Sequence, residues 1–207
     1  RRGRQQGGPQ DADFALDIER VLAGVDRRTT VMIRNIPNKY TQQMLLDEIN
    51  INHTGTYDFF YLPIDFKNKC NVGYAFINFM DHRSIISFFH EFNGQRWSNF
   101  NSEKVCALSY ARIQGKLAMI ARFQNSSLLE KDCEYRPLLF VSNGADKGMP
   151  EPFPLGGRAR GAAQYGTSHG AGNSHGAGGS GGHHHHGHGH HHGHGHGHDH
   201  DVEEAAS

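Results

Sequence analysis

"NVGYAFINF" (71–79) carries apolar or aromatic side chains on both faces of a strand. Read by twos, Tyr74, Phe76 and Asn78 point one way and Ala75, Ile77 and Phe79 the other. A half-buried strand in a small domain alternates apolar with polar residues. The second face therefore needs a cover: another layer of the chain, a partner protein, or a ligand with flat apolar surfaces such as nucleic-acid bases.

The flanking segments set this strand in an order. "TTVMIRNIPN" (29–38) is a β-branched strand ended by Pro37 and Asn38, and Thr41 is placed to cap an amphipathic helix running to about Asn52. "TYDFFYLPI" (56–64) is a second strand, followed by the polar loop "DFKNKCN" and then by the quoted strand. Asp81 precedes "HRSIISFFHEFN", a helix with a wide apolar stripe stopped by Gly94, and "KVCALSYAR" (104–112) is a fourth strand. The order β-α-β-β-α-β predicts an α+β, ferredoxin-like fold with a four-stranded antiparallel sheet. Two helices cover one face of such a sheet and leave the other bare.

Outside this unit, "FALDIERVLAG" (14–24) predicts a short helix, and "IQGKLAMIARFQNSSLLEK" (113–131) a third one with Leu117, Ile120, Ala121 and Phe123 near one side. "YRPLLFVSNG" reads as a short extended piece. The chain so divides into a linker and short helix (1–28), the folded motif (29–112), a helical extension (113–148) and a Gly/His-rich tail (149–207) expected to be disordered. The tail holds twelve histidines between 183 and 200, enough to bind divalent metal adventitiously; a Gly-His repeat without a role explains them equally well.

Composition narrows the function classes. Residues 29–125 hold ten Lys/Arg against seven Asp/Glu, while residues 126–207 hold five against nine. The middle is mildly basic and compatible with a polyanion. Cys70, Cys106 and Cys133 form no C-x-x-C pair and fit a reduced compartment. No apolar run suits a membrane span of about 18 residues. The chain opens on Arg1, so it is expected to be a fragment. No P-loop, G-x-S-x-G, H-E-x-x-H or carboxylate pair is recognisable, so neither catalytic residues, a bound cofactor nor a structural metal is expected.

"VGYAFINF" (72–79) fits the ribonucleoprotein octamer of the RNA recognition motif at six of seven specified places, counting Ile77 for the usual Val, with Val72 where Lys or Arg is usual. "VMIRNI" (31–36) resembles the partner hexamer, with Met32 at the usual aromatic position. Longer runs, among them "RTTVMIRNIPNKYTQQML", "HTGTYDFFYLPIDFKNKCNVGYAFINF" and "SYARIQGK", resemble the C-terminal RNA recognition motif of the Mei-two-like family over about residues 26–156. The resemblance implies single-stranded RNA as partner, a nuclear or nucleo-cytoplasmic regulator of meiosis or development, and further motifs upstream. In that fold the octamer's aromatic residues stack on bases. Tyr74 and Phe76 are thus expected on an open face with Met32, Arg34 and Asn78. Lys67 and Lys69 stand where a loop clamps phosphates, though solvated lysines fit equally well, and Arg112 ends the fourth strand on the rim. The alternative is a protein-interaction module that grips a peptide on the sheet or helix face. A final expectation concerns "KLAMIARF" (116–123), which leaves the fourth strand closely enough to pack across the sheet around Met32, the competing expectation being that it packs sideways against the two domain helices and only extends the core.

Overall fold

A computed structural model describes residues 13–154 of the chain. The tail histidines and the first residues of the linker lie outside the described residues. The expected unit is present: β1 (Thr30–Arg34), α2 (Gln42–His53), β2 (Tyr57–Tyr61), β5 (Tyr74–Phe79), α3 (Ser84–Phe92) and β6 (Ala107–Tyr110). A short α1 (Ile18–Leu22) precedes it, and "DFKNKCN" closes a small hairpin of β3 (Ile64–Asp65) and β4 (Cys70–Asn71).

Local chemistry accounts for the boundaries. Thr41 accepts a hydrogen bond from the Met44 backbone N–H, capping α2 as its position predicted. Asp81 accepts from the Arg83 backbone N–H just ahead of α3, and the Arg83 guanidinium also binds its carboxylate. Gly24 follows α1 with φ of 67°, a conformation that glycine adopts without penalty. The helix begins later than its apolar spacing suggested. Phe14 stands in a turn beside β6 and accepts at its carbonyl from the Tyr110 N–H, and Ala15 forms an isolated bridge with Ser109.

The sheet is wider than the four strands predicted. Its order is β6-β1-β5-β2-β7-β8, with β7 (Leu138–Phe140) paired to β2 and β8 (Pro150–Glu151) paired to β7. An edge strand exposes unpaired backbone groups, and "PLLF" meets that need for β2. One face of the sheet holds Val31, Ile33, Phe60, Ala75, Ile77 and Phe79, packed under Leu45 and Ile49 of α2 and Ile85 and Phe88 of α3. Trp97 is buried there as a packing residue, its indole N–H donating to the Asn35 carbonyl.

The other face is not bare. Helix α4 (Lys116–Phe123) lies across it, with Met119 and Phe123 inserted into a second core containing Met32, Phe59, Tyr61, Phe76 and Leu139. The molecule therefore has three layers: α2 and α3, the sheet, then α4. The stripe read from sequence is rotated, since Leu117 is 81% exposed while Met119 is fully buried. After α4, tight turns at Ser127–Glu130 and Cys133–Tyr135 bring the chain back to β7. Among the described residues no helix is long and apolar enough to cross a membrane.

Candidate nucleic-acid interface

Register fixes which side chains share the α4 side. β1 and β5 pair antiparallel with Thr30 opposite Asn78, Met32 opposite Phe76 and Arg34 opposite Tyr74. β2 sets Phe59 opposite Asn78 and Tyr61 opposite Phe76. The alternation read from the sequence thus holds: the octamer rings and the hexamer's Met32 share one face, and Ala75, Ile77 and Phe79 enter the main core.

What the sequence reading expected to be open is closed. Phe76 has no exposure and Met32 only 8%. Phe123 reaches down from α4, stacked on Phe59 at 6.1 Å between centroids and edge-on to Tyr61 at 5.1 Å. Phe76 instead meets Tyr74 edge-on at 5.7 Å. Buried aromatic pairs of this kind add roughly 0.5–1.5 kcal/mol beyond the area they bury.

Hydrogen bonds pin the helix at its start. The Gln114 side chain accepts from the backbone N–H groups of Thr29 and Thr30 and donates to the carbonyls of Thr30 and Ala111. Gly115, with φ of 89°, donates its N–H to the Thr30 hydroxyl at 2.7 Å. That hydroxyl donates to the Asn78 side-chain oxygen, and the Asn78 amide donates to Asp58 at 2.7 Å. Asp58 sits where the β2–β5 ladder slips between Tyr57 and Phe59, and its second oxygen accepts from Ser142. Lys116 completes the chain, donating to Ser142 and to the Phe140 carbonyl and pairing with Glu151. One polar path so crosses the sheet from β1 to β8 beneath the first turn of α4. Asn78 belongs to this path and offers no free edge to a ligand, a correction to its grouping with the base-stacking residues.

The remaining expected residues separate by position. Arg34 is exposed and Tyr74 half-buried, and their register pairing puts them side by side at one end of the sheet. Lys67 and Lys69 are exposed on the β3–β4 hairpin. There Asp65 accepts from the backbone N–H groups of Lys67 and Asn68 and from the Asn68 side chain. These bonds, led by the one from the Asn68 side chain, hold the Asp65 carboxyl below its ordinary pKa and stabilise the turn. Arg112 is exposed but lies over Phe14, 5.7 Å from its centroid, on the side of the main core. It is not brought to Tyr74. Among the described residues no group of His, Cys, Asp and Glu could hold a metal ion.

Comparison with known proteins places this architecture. Residues 28–124 match the model of RNA recognition motif 2, a match that ends one residue beyond α4. The fold and its octamer strand are those of an RNA recognition motif, which is not an enzyme family. More narrowly, the chain belongs to the MEI2-like family. It is 58% identical over 162 residues to Protein MEI2-like 4 of Oryza sativa subsp. japonica, covering 77% of this chain and 16% of that protein. Against Meiosis protein mei2 of Schizosaccharomyces pombe identity is 55% over 146 residues, covering 70% of this chain and 20% of that one. The chain thus spans about a fifth or less of these curated relatives' length. Similar solved structures include the Rna15 RRM with bound RNA (GU), at 24% identity and a TM-score of 0.34, covering 40% of this chain and 82% of that one. Another is the Sex-lethal protein/RNA complex, at 22% identity and a TM-score of 0.35, covering 43% and 50%.

Proposed function

We propose that this domain binds single-stranded RNA as part of a nuclear or nucleo-cytoplasmic post-transcriptional regulator of meiosis or development. The observation that carries the reading is the pairing of Arg34 with Tyr74 at an exposed end of the octamer strand. A guanidinium and a phenol ring there suit a phosphate and a stacked base. The names of the relatives, MEI2-like and Meiosis protein mei2, support the biological setting.

RNA binds with α4 in place. Re-exposing only Phe76, Met119 and Phe123 costs about 5–9 kcal/mol, at roughly 1.5–3 kcal/mol for each buried apolar side chain. Stacking two bases returns about 2–6 kcal/mol. Displacement therefore loses, and Tyr74, Arg34 and the lysine hairpin carry the contacts. With α4 seated on the sheet, a peptide partner has no open sheet face to occupy. Fluorescence anisotropy with random-sequence single-stranded RNA tests the reading. The full chain binds, and Tyr74→Ala and Arg34→Ala weaken binding while the melting temperature holds. A folded chain that binds no single-stranded RNA refutes it.

A further inference from the structure

A groove of ≈ 560 Å³ opens beside the sheet, between the turn after β1, the β3–β4 hairpin and the Cys133–Tyr135 turn. Its volume lies within the roughly 300–1,000 Å³ of small-ligand sites. Phe66 and Tyr135, both half-buried, form an aromatic wall, edge to face at 5.5 Å and 89°. Lys131 stands over Phe66, its ammonium 5.0 Å from the ring centroid, which leaves Tyr135 as the stacking surface. Phe66 also packs against the second core under α4, so the groove continues the aromatic face past the point where α4 closes it.

The walls are preformed. Asn71 donates to the carbonyls of Pro37 and Tyr40 and accepts from the Gly73 N–H. Gln42 donates to the carbonyls of Glu134 and Arg136 and accepts from the Leu62 N–H. These buried amides tie the hairpin, α2 and the C-terminal turn together without offering a group to a ligand. The rim is cationic. Lys39 and Lys69 line it against one carboxylate, Glu134, which is hydrogen-bonded to the Tyr135 hydroxyl; Lys67 and Lys131 flank it, as does Asp132 beside Tyr135, while Asp65 is engaged within its own turn.

We infer that this groove holds one nucleotide of a single-stranded RNA, its base on Tyr135 and its phosphate between Lys39 and Lys69. The inference rests on the proposed RNA-binding function and extends it to a site away from the octamer strand. An aromatic wall beside paired cations over a floor of satisfied amides suits a stacked base with an anionic link. A peptide backbone, by contrast, would find few open donors and acceptors there.

The test uses the full chain and a short fluorescein-labelled oligouridylate, with photocrosslinking of its 4-thiouridine form. Tyr135→Ala should weaken binding about tenfold, a loss in the range for one stacked base. Lys39→Gln with Lys69→Asn should do likewise. Asn suits position 69 because Lys69 has φ of 53°, a left-handed conformation that Asn tolerates. Lys147→Gln, on an exposed turn elsewhere, should change nothing. Crosslinks should map to Phe66 or Tyr135 as well as to Tyr74. Full affinity in both groove variants, with crosslinks confined to Tyr74 and its neighbours, overturns the groove and the part given to Lys69 while leaving RNA binding at Tyr74 and Arg34 intact. A folded chain that binds no oligonucleotide overturns both.

Discussion

Phe76→Ala separates an octamer ring that reads bases from one that holds the fold together. Phe76 has no exposure, sits between Met32 and Tyr61 across the sheet, and packs in the core capped by Met119 and Phe123. Truncating a buried Phe to Ala costs about 3–5 kcal/mol through lost transfer energy and the cavity left behind. For a folded unit of this size that lowers the melting temperature by roughly 10–20 °C. Tyr74 is half-buried at the edge of the same cluster, so Tyr74→Ala should cost little stability and instead weaken RNA binding by about 1–3 kcal/mol. Thermal and guanidinium unfolding followed by circular dichroism, paired with anisotropy well below each variant's melting point, reads both effects. The opposite outcome is a Phe76→Ala chain that melts like the parent and loses RNA. That outcome would mean the sheet face is open in solution and α4 lies elsewhere.

Gln114→Ala should destabilise the chain by about 1–3 kcal/mol, because the backbone N–H groups of Thr29 and Thr30, at the start of β1, lose their acceptor. Hydrogen exchange should then rise at Thr29, Thr30 and the first turn of α4, and an unchanged exchange pattern would remove the latch. Asp26 is buried and its carboxyl held below the ordinary pKa, first by the hydrogen bond from the Arg28 side chain, with burial opposing. Its contribution is therefore full above the unfolded carboxylate value and fades as pH falls through the folded one. Asp26→Asn should flatten that part of the acid limb, and parallel acid-unfolding profiles would count against the pair. Burial pushes the Cys106 thiol up to about 12, whereas Cys133 is exposed. Iodoacetamide at mildly alkaline pH should modify Cys133 in the native chain and reach Cys106 only on unfolding, as mass spectrometry would show.

The order of strands and helices was legible because each signal is local. Thr41 stands where a cap belongs, Gly24 and Gly94 take the positive φ that ends a helix, and the octamer alternates strictly. The cover on the sheet was half legible. "YDFFY" puts rings on both faces of β2 as "YAFINF" does on β5, and two adjacent double-faced strands call for a layer on each side. The phase of α4 was not readable, since Leu117 and Met119 both fit an apolar stripe, and it is Met119 that is buried and Leu117 that is exposed. The clamp of Gln114 on β1 joins residues more than eighty positions apart and leaves no local trace. The pairing of "LLF" with β2 is equally long-range, which is why a four-stranded sheet was expected. For the same reason Phe76, Met32 and Asn78 read as ligand contacts, and the polar path through Asp58 and Ser142 went unseen.

Two of the five methionines, Met32 on β1 and Met119 on α4, lie in the core that α4 closes, and their methyl groups report directly on whether the helix stays there. With methyl-labelled methionine, nuclear Overhauser effects should connect both methyls to the ring protons of that aromatic cluster in the free chain. These contacts should persist at saturating single-stranded RNA, while resonances of Tyr74, Arg34 and the Lys67–Lys69 hairpin shift. Loss of the Met32 and Met119 contacts on RNA binding, with α4 amides becoming exchangeable, would contradict it.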